Sequence, residues 1–187
     1  MKKVLILHGR WWDDQENWFP WLKNELESKG FQVFVPALPS TNNPNLTEQL
    51  DYISDYYNNV WKIDYIVGHS LGCKLALHLI EKFNITNIKG ILVAPTYRWL
   101  TDELWKKVYW TAYDNLKEYI NKEIEFKKLW NRHTIFLSNN DPYIKVENAK
   151  NYYSNLENIK YIDFLNMWHF NEWAGIYKLP EILDYIT

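Results

Sequence analysis

Gly68-His69-Ser70-Leu71-Gly72 sits between an apolar run, Ile63 to Val67, and a helix-patterned run that begins at Leu71. A serine on a sharp strand-to-helix turn is held in a strained backbone conformation with its Oγ clear of the chain. Side chains at the two flanking glycines would block the close approach of strand and helix. Serine is a poor nucleophile at neutral pH, so acyl-transfer chemistry at Ser70 requires a base to take its proton and a carboxylate to orient that base and stabilise its cationic form. The residues to find are one histidine and one Asp or Glu.

The elements that must position them follow from the hydrophobic pattern. Short β-branched runs at Val4 to Leu7, Phe31 to Val35, Ile63 to Val67, Ile88 to Val93, Thr134 to Leu137 and Lys160 to Phe164 alternate with helix-length segments. This predicts an α/β fold with about six mainly parallel strands. Trp18, Leu22 and Leu26 line one face of a first helix that Gly30 stops, and Leu75, Leu79 and Phe83 do the same for a helix over Leu71 to Phe83. Thr47 is the expected cap of a helix over Glu48 to Asn58, after the Asn/Pro-rich turn Thr41 to Asn45.

A parallel sheet builds its site beyond the carboxyl ends of the strands. Asp141 directly follows the fifth strand and His169 follows the sixth, so Ser70, Asp141 and His169 give the chain order Ser, Asp, His. His8 and His69 also lie near strand ends but are read as shaping their loops, because adjacency to Ser70 points the His69 ring away from it. His78 and His133 are read as structural or solvated, and Asp51, Asp55, Asp114 and Asp163 as surface charges. The oxyanion of acyl transfer needs two backbone N–H donors. One is expected from Leu71, at the start of the helix after the serine. The other is expected from the loop after strand one, where Gly9 permits close approach: Arg10 N–H first, Trp11 N–H second. Cys73 is read as a small core residue.

One connection is long. Residues 97–132 separate strands four and five, more than a crossover helix requires. The segment carries Trp99, Trp105, Tyr109, Trp110, Tyr113, Tyr119, Phe126 and Trp130. It reads either as an amphipathic helix pair packed on the sheet or as a lid over the site.

The whole chain sets the outer bounds. Its 187 residues suit one domain with a full core. A net charge of -2 with no basic block argues against nucleic acid and anionic membrane surfaces as partners. The single cysteine excludes an internal disulfide framework and a Cys-rich zinc site, which fits a reducing compartment, the cytoplasm. Only Val4 to Leu7 follow Met1-Lys2-Lys3 as apolar residues, short of a signal peptide, and no run is long enough for a membrane span. No metal or cofactor is implied.

Taken together, the chain resembles the α/β-hydrolase superfamily and, within it, the small YdeN-like serine hydrolases. The marks are Leu7-His8-Gly9, Trp18-Phe19-Pro20-Trp21-Leu22, Gly68-His69-Ser70-Leu71-Gly72, Ser138-x-x-Asp141-Pro142 and His169-Phe170-Asn171 followed by Pro180-Glu181. The resemblance covers nearly the full length. It implies a three-layer α/β/α sandwich with strand order 2-1-3-4-5-6, Ser70 as nucleophile, Asp141 as triad acid, His169 as base, and a compact pocket for a small acyl substrate. Two departures bear on that pocket. Trp168 stands where members usually carry glycine, which narrows the pocket or shifts its loop, and Arg10, Trp11 and Trp12 replace smaller residues. Trp11 and Trp168, with Trp105 and Trp110 from the insert, are the expected pocket walls.

The reading is a serine hydrolase, a carboxylesterase acting on short-chain acyl esters through an acyl-enzyme. A thioesterase, amidase or acyltransferase would use the same serine chemistry. A binding module on the same fold, with Trp and Tyr clusters as its contact surface, would have no need of all three triad members. Dehalogenases and epoxide hydrolases of this fold are disfavoured, because they place an aspartate where Ser70 stands.

Overall fold

The computed structural model of the chain describes residues 1–56, 62–97, 115–116, 119, 122–125 and 132–187. The apolar runs become the strands β1 (Lys3–Leu7), β2 (Gln32–Phe34), β3 (Tyr65–His69), β4 (Lys89–Val93), β5 (Arg132–Ser138) and β6 (Ile159–Phe164). They form one sheet in the order β2-β1-β3-β4-β5-β6, with every neighbouring pair parallel. The helices α1 (Phe19–Ser28), α2 (Leu46–Tyr56), α3 (Leu71–Lys82) and α4 (Val146–Tyr153) flank it, giving the three-layer α/β/α sandwich. The central strands are buried on both faces, which is why β1, β3 and β4 read as unbroken apolar runs rather than as alternating ones.

Register aligns the carboxyl ends that matter. Leu7 pairs with Gly68, His69 with Val93, Val93 with Phe136, and Ser138 with Phe164. The loops that follow β1, β3, β5 and β6 therefore leave the sheet along one edge.

Two local expectations shift. β3 runs two residues later than its apolar run, taking in Gly68 and His69, because the ladder to β4 continues as far as Val93. Helix α2 begins at Leu46, and its cap is Asn45 rather than Thr47: the Asn45 side-chain oxygen accepts the Glu48 N–H at 2.8 Å. Gly30 stops α1 as expected, with φ of 85°. His78 and His133 are buried to about the same degree as core leucines, not solvated. Asp51, Asp55 and Asp163 lie on the surface, the first and last paired with Lys82 and Lys150. Asp114 lies outside the described residues.

Of the connection between β4 and β5, Leu116, Tyr119 and Ile124 are described and buried, and the Tyr119 hydroxyl donates to Gln49 Oε1. Trp99, Trp105, Tyr109, Trp110, Tyr113, Phe126 and Trp130 lie outside the described residues. No helix among the described residues is long and apolar enough to cross a membrane.

Candidate active site

Ser70 joins β3 to α3 with φ 54° and ψ −119°, a left-handed backbone that costs a residue with a Cβ roughly 1–3 kcal/mol. Three backbone bonds hold it there. Its N–H donates to Val93 O at 2.9 Å, and its carbonyl accepts from Cys73 N–H at 3.1 Å and Thr96 N–H at 3.3 Å. The flanking glycines are required by space. A Cβ at Gly72 would stand 2.3 Å from the Leu7 carbonyl oxygen, and one at Gly68 would stand 2.7 Å from the Cys73 Cα. The Ser70 side chain makes no capping bond to α3, so its hydroxyl is not tied to the helix.

The loop after β1 closes on this turn. A Cβ at Gly9 would lie 2.9 Å from the Ser70 Cβ and 3.5 Å from the Leu71 nitrogen, so only glycine lets the two segments touch. Leu71 opens α3, where backbone N–H groups have no acceptor within the helix. Of the two residues considered for the second oxyanion donor, Trp11 has its N–H bonded to Thr41 O at 3.0 Å. The Arg10 side chain is a strut that the sequence reading missed. It is buried, its Nε and Nη2 donate to Asn42 O at 3.1 and 3.0 Å, and its guanidinium lies 4.4 Å from the Trp11 ring centre. Trp11 itself is 39% exposed and left-handed, with φ of 67°.

Asp141 and His169 meet directly: His169 Nδ1 lies 2.8 Å from Asp141 Oδ2. A carboxylate only accepts here, so Nδ1 carries the proton and Nε2 is left as the basic nitrogen. The other carboxylate oxygen, Oδ1, accepts the N–H groups of Tyr143 and Ile144 at 2.8 and 2.9 Å. The buried Asp141 side chain is thereby fixed at both ends. Tyr143 sets its ring edge-on against the imidazole, 4.9 Å between centres.

Among the described residues no hydrogen bond joins the Ser70 hydroxyl to the His169 ring; the serine turn is tied to the pair through the residue before it. His69 is fully buried, and its Nε2 donates to the His169 carbonyl at 2.8 Å while the two rings lie 5.1 Å apart. Burial, reinforced by the adjacent His169, pushes the His69 pKa down to about 3, so the ring is a neutral donor. His8 is likewise a loop-shaping group. Its Nδ1 donates to Gly9 O at 3.0 Å, its Nε2 accepts Leu38 N–H at 3.0 Å, and burial lowers its pKa. Both therefore play the parts the sequence suggested, and His69 adds a direct hold on the His169 backbone.

The loop carrying His169 is gripped from two sides. From the connection between β1 and α1, Trp18 Nε1 donates to Phe170 O at 2.9 Å, and Asn17 and Glu172 exchange bonds of 3.1 and 2.9 Å. From β5, four consecutive residues bond four consecutive residues. Asn139 Oδ1 accepts Asn166 N–H, Ser138 Oγ accepts Met167 N–H, Asn140 Oδ1 accepts Trp168 N–H, and Asp141 takes His169. Sequence reasoning found only the last of these contacts. The signal for the others was the Ser138-Asn139-Asn140 run itself, since Ser and Asn side chains beside a turn readily bond backbone groups.

Among the expected pocket walls, Trp168 is half-buried with its ring 5.8 Å from Tyr143, Trp11 edges the β1 loop, and Trp105 and Trp110 lie outside the described residues. Cys73 is a buried core residue, its thiol pKa raised by burial.

The sheet order and the nucleophile turn define an α/β-hydrolase fold, and comparison with known proteins agrees. The crystal structure of the ydeN gene product of B. subtilis superposes with a TM-score of 0.85 at 24% identity, covering 100% of this chain and 97% of that one. Est1E from Butyrivibrio proteoclasticus, solved with ferulic acid bound, superposes with a TM-score of 0.70 at 14% identity, covering 100% and 90%. In sequence, the chain is 28% identical over 189 residues to YdeN of Bacillus subtilis (strain 168), spanning 100% of this chain and 95% of that protein. The family model described as serine hydrolase matches residues 4–187, so the chain belongs to the serine hydrolase family and is a YdeN-like α/β-hydrolase.

Proposed function

We propose that this hydrolase is a carboxylesterase for small, short-chain acyl esters, working through an acyl-enzyme on Ser70. In this reading Ser70 Oγ attacks the ester carbonyl. His169 Nε2 takes the serine proton and returns it to the leaving alcohol, while Asp141 holds the imidazole in the tautomer that leaves Nε2 basic. The N–H groups of Leu71 and Arg10 receive the charge that develops on the carbonyl oxygen, each such donor being worth about 3 kcal/mol. Water then repeats the sequence on the acyl-enzyme. The carrying observation is the 2.8 Å Asp141–His169 pair, fixed to the strained Ser70 turn by His69. Two proteins of this fold lend the ester reading support: Est1E, solved with ferulic acid bound, and an esterase from Exiguobacterium antarcticum, which superposes with a TM-score of 0.61 at 16% identity.

In the same reading residues 1–187 act as one domain in the cytoplasm, with residues 97–132 as a lid over the pocket. A fluorophosphonate probe tests the nucleophile: it should label the wild type and not S70A, and equal labelling would remove the assignment. A series of p-nitrophenyl esters tests the substrate. Activity should be highest on short acyl chains and should fall when Trp105 or Trp110 is truncated. A preference for long chains, or for thioesters of the same acyl group, would redirect the substrate assignment, and unchanged kinetics in both Trp variants would return the insert to scaffolding.

A further inference from the structure

His169 is flanked by residues that a peptide chain does not readily place in left-handed conformations. Trp168 has φ of 49° and Phe170 has φ of 52°, while Asn166, at 59°, is of a type that tolerates this region. Phe170 is held by the core: it is fully buried, its N–H donates to Met167 O at 2.9 Å, and its carbonyl accepts Trp18 Nε1. Trp168 is only half-buried and lacks that support. Its backbone is held instead by a relay of side chains. Met167 N–H donates to Ser138 Oγ at 3.0 Å, the Ser138 hydroxyl donates to Asn140 Oδ1 at 2.8 Å, and the same Oδ1 accepts Trp168 N–H at 2.8 Å. Donors and acceptors alternate without conflict, and both N–H groups that bracket residue 167 are tied to one pair of side chains.

We propose that Asn140 is a positioning residue for His169: by accepting the Trp168 N–H it holds Trp168 in the left-handed turn that keeps the imidazole on Asp141. The inference rests on the reading of His169 as the base. It makes Trp168 and Asn140 an interdependent pair, because glycine at position 168 would adopt the same φ unaided and would make the Asn140 bond dispensable. Asn139 carries less of this burden, since the residue it holds is itself an asparagine.

The test is a double-mutant cycle on p-nitrophenyl acetate hydrolysis with kcat and KM measured separately. N140A should lose kcat by up to about 10²-fold with KM nearly unchanged, the signature of a misaimed base rather than a damaged pocket. N140D, which keeps an acceptor oxygen, should stay close to wild type. In a W168G background the same N140A change should cost less than threefold (roughly, within ordinary additivity error). Should N140A alone fail to fold, the comparison of N140A/W168G with W168G, together with N140D, still decides the matter. The inference is overturned if N140A leaves kcat intact, if N140D is as impaired as N140A, or if N140A costs as much in the W168G background as in wild type. H169A separates this from failure of the underlying reading. If H169A retains wild-type kcat, the base assignment itself falls; if H169A is inactive and N140A is unaffected, only the role of Asn140 falls.

Discussion

His69 and His133 are both buried histidines of one sheet, on strands separated by β4, yet they live in opposite chemical worlds. At the carboxyl end of β3, His69 spends its Nε2 proton on the His169 carbonyl and stacks among Trp18, Phe19 and His169. Near the amino end of β5, His133 packs against Gly90, and among the described residues neither ring nitrogen has a hydrogen-bond partner. Burial lowers both pKa values, to about 3 and about 4. Depressed basicity alone therefore does not mark a site in this molecule. The partners do. At the carboxyl edge nearly every loop residue around His169 is bonded by a side chain from another strand's loop, whereas at the amino edge a histidine serves as an apolar plate.

The largest effects should come from the carboxyl edge. H169A and S70A are expected to lose at least about 10³-fold in kcat, as removal of members of a serine triad does, and steady-state ester hydrolysis measures it. A loss below tenfold in H169A would exclude it as the base. G9A comes next. Its Cβ would intrude on the Ser70 Cβ at 2.9 Å, so the β1 loop must retreat from Leu71 N–H, and kcat should fall by about 10²-fold while far-ultraviolet circular dichroism is unchanged. Wild-type activity in G9A would argue that this loop contributes no donor.

H69F sharpens the contrast by removing the bond while keeping an aromatic ring, one of slightly larger volume, in its place. The His169 carbonyl would be left buried and unpaired at a cost of about 1–3 kcal/mol, and thermal unfolding should register it along with a drop in kcat of roughly tenfold. An unchanged melting temperature and unchanged kcat would reduce His69 to filler.

The smallest catalytic effect belongs to H133F, which should leave kcat at the wild-type value. Its consequence lies in acid stability. The folded protein keeps His133 neutral down to about pH 4, whereas the unfolded chain takes up a proton near the ordinary 6.5. In that window the unfolded state binds more protons, so the contribution of His133 is full above 6.5 and is lost as pH falls toward 4. Melting temperatures of H133F should therefore decline less steeply between pH 7 and pH 4.5 than those of wild type. A steeper decline would contradict the assignment of a neutral buried ring.

These contrasts also explain what was legible in the sequence. The fold and the nucleophile turn could be read because their requirements are local and severe: Gly68 and Gly72 are packed against backbone atoms, and Ser70 must turn through a conformation that few contexts supply. Asp141 and His169 could be read because parallel strands deliver their following loops to one edge, which makes position after a strand informative. The grip of Ser138, Asn139 and Asn140 on residues 166–168 has no periodicity and joins segments that only the β5–β6 pairing makes neighbours. For His78 and His133 the sequence left structural and solvated readings open, since a polar residue in a helix or at a strand start can be either until the opposing layer is known. The cap of α2 was misplaced by two residues because Asn45 and Thr47 are both good capping types, and only the Glu48 N–H bond distinguishes them.

The most direct test of the central claim is to quench wild-type enzyme during turnover of a short-chain p-nitrophenyl ester and map the acylated peptide by mass spectrometry. The expected result is an acyl group on Ser70, accumulating in wild type and absent in H169A. An adduct on another residue, or ester hydrolysis with Ser70 never acylated, would contradict it.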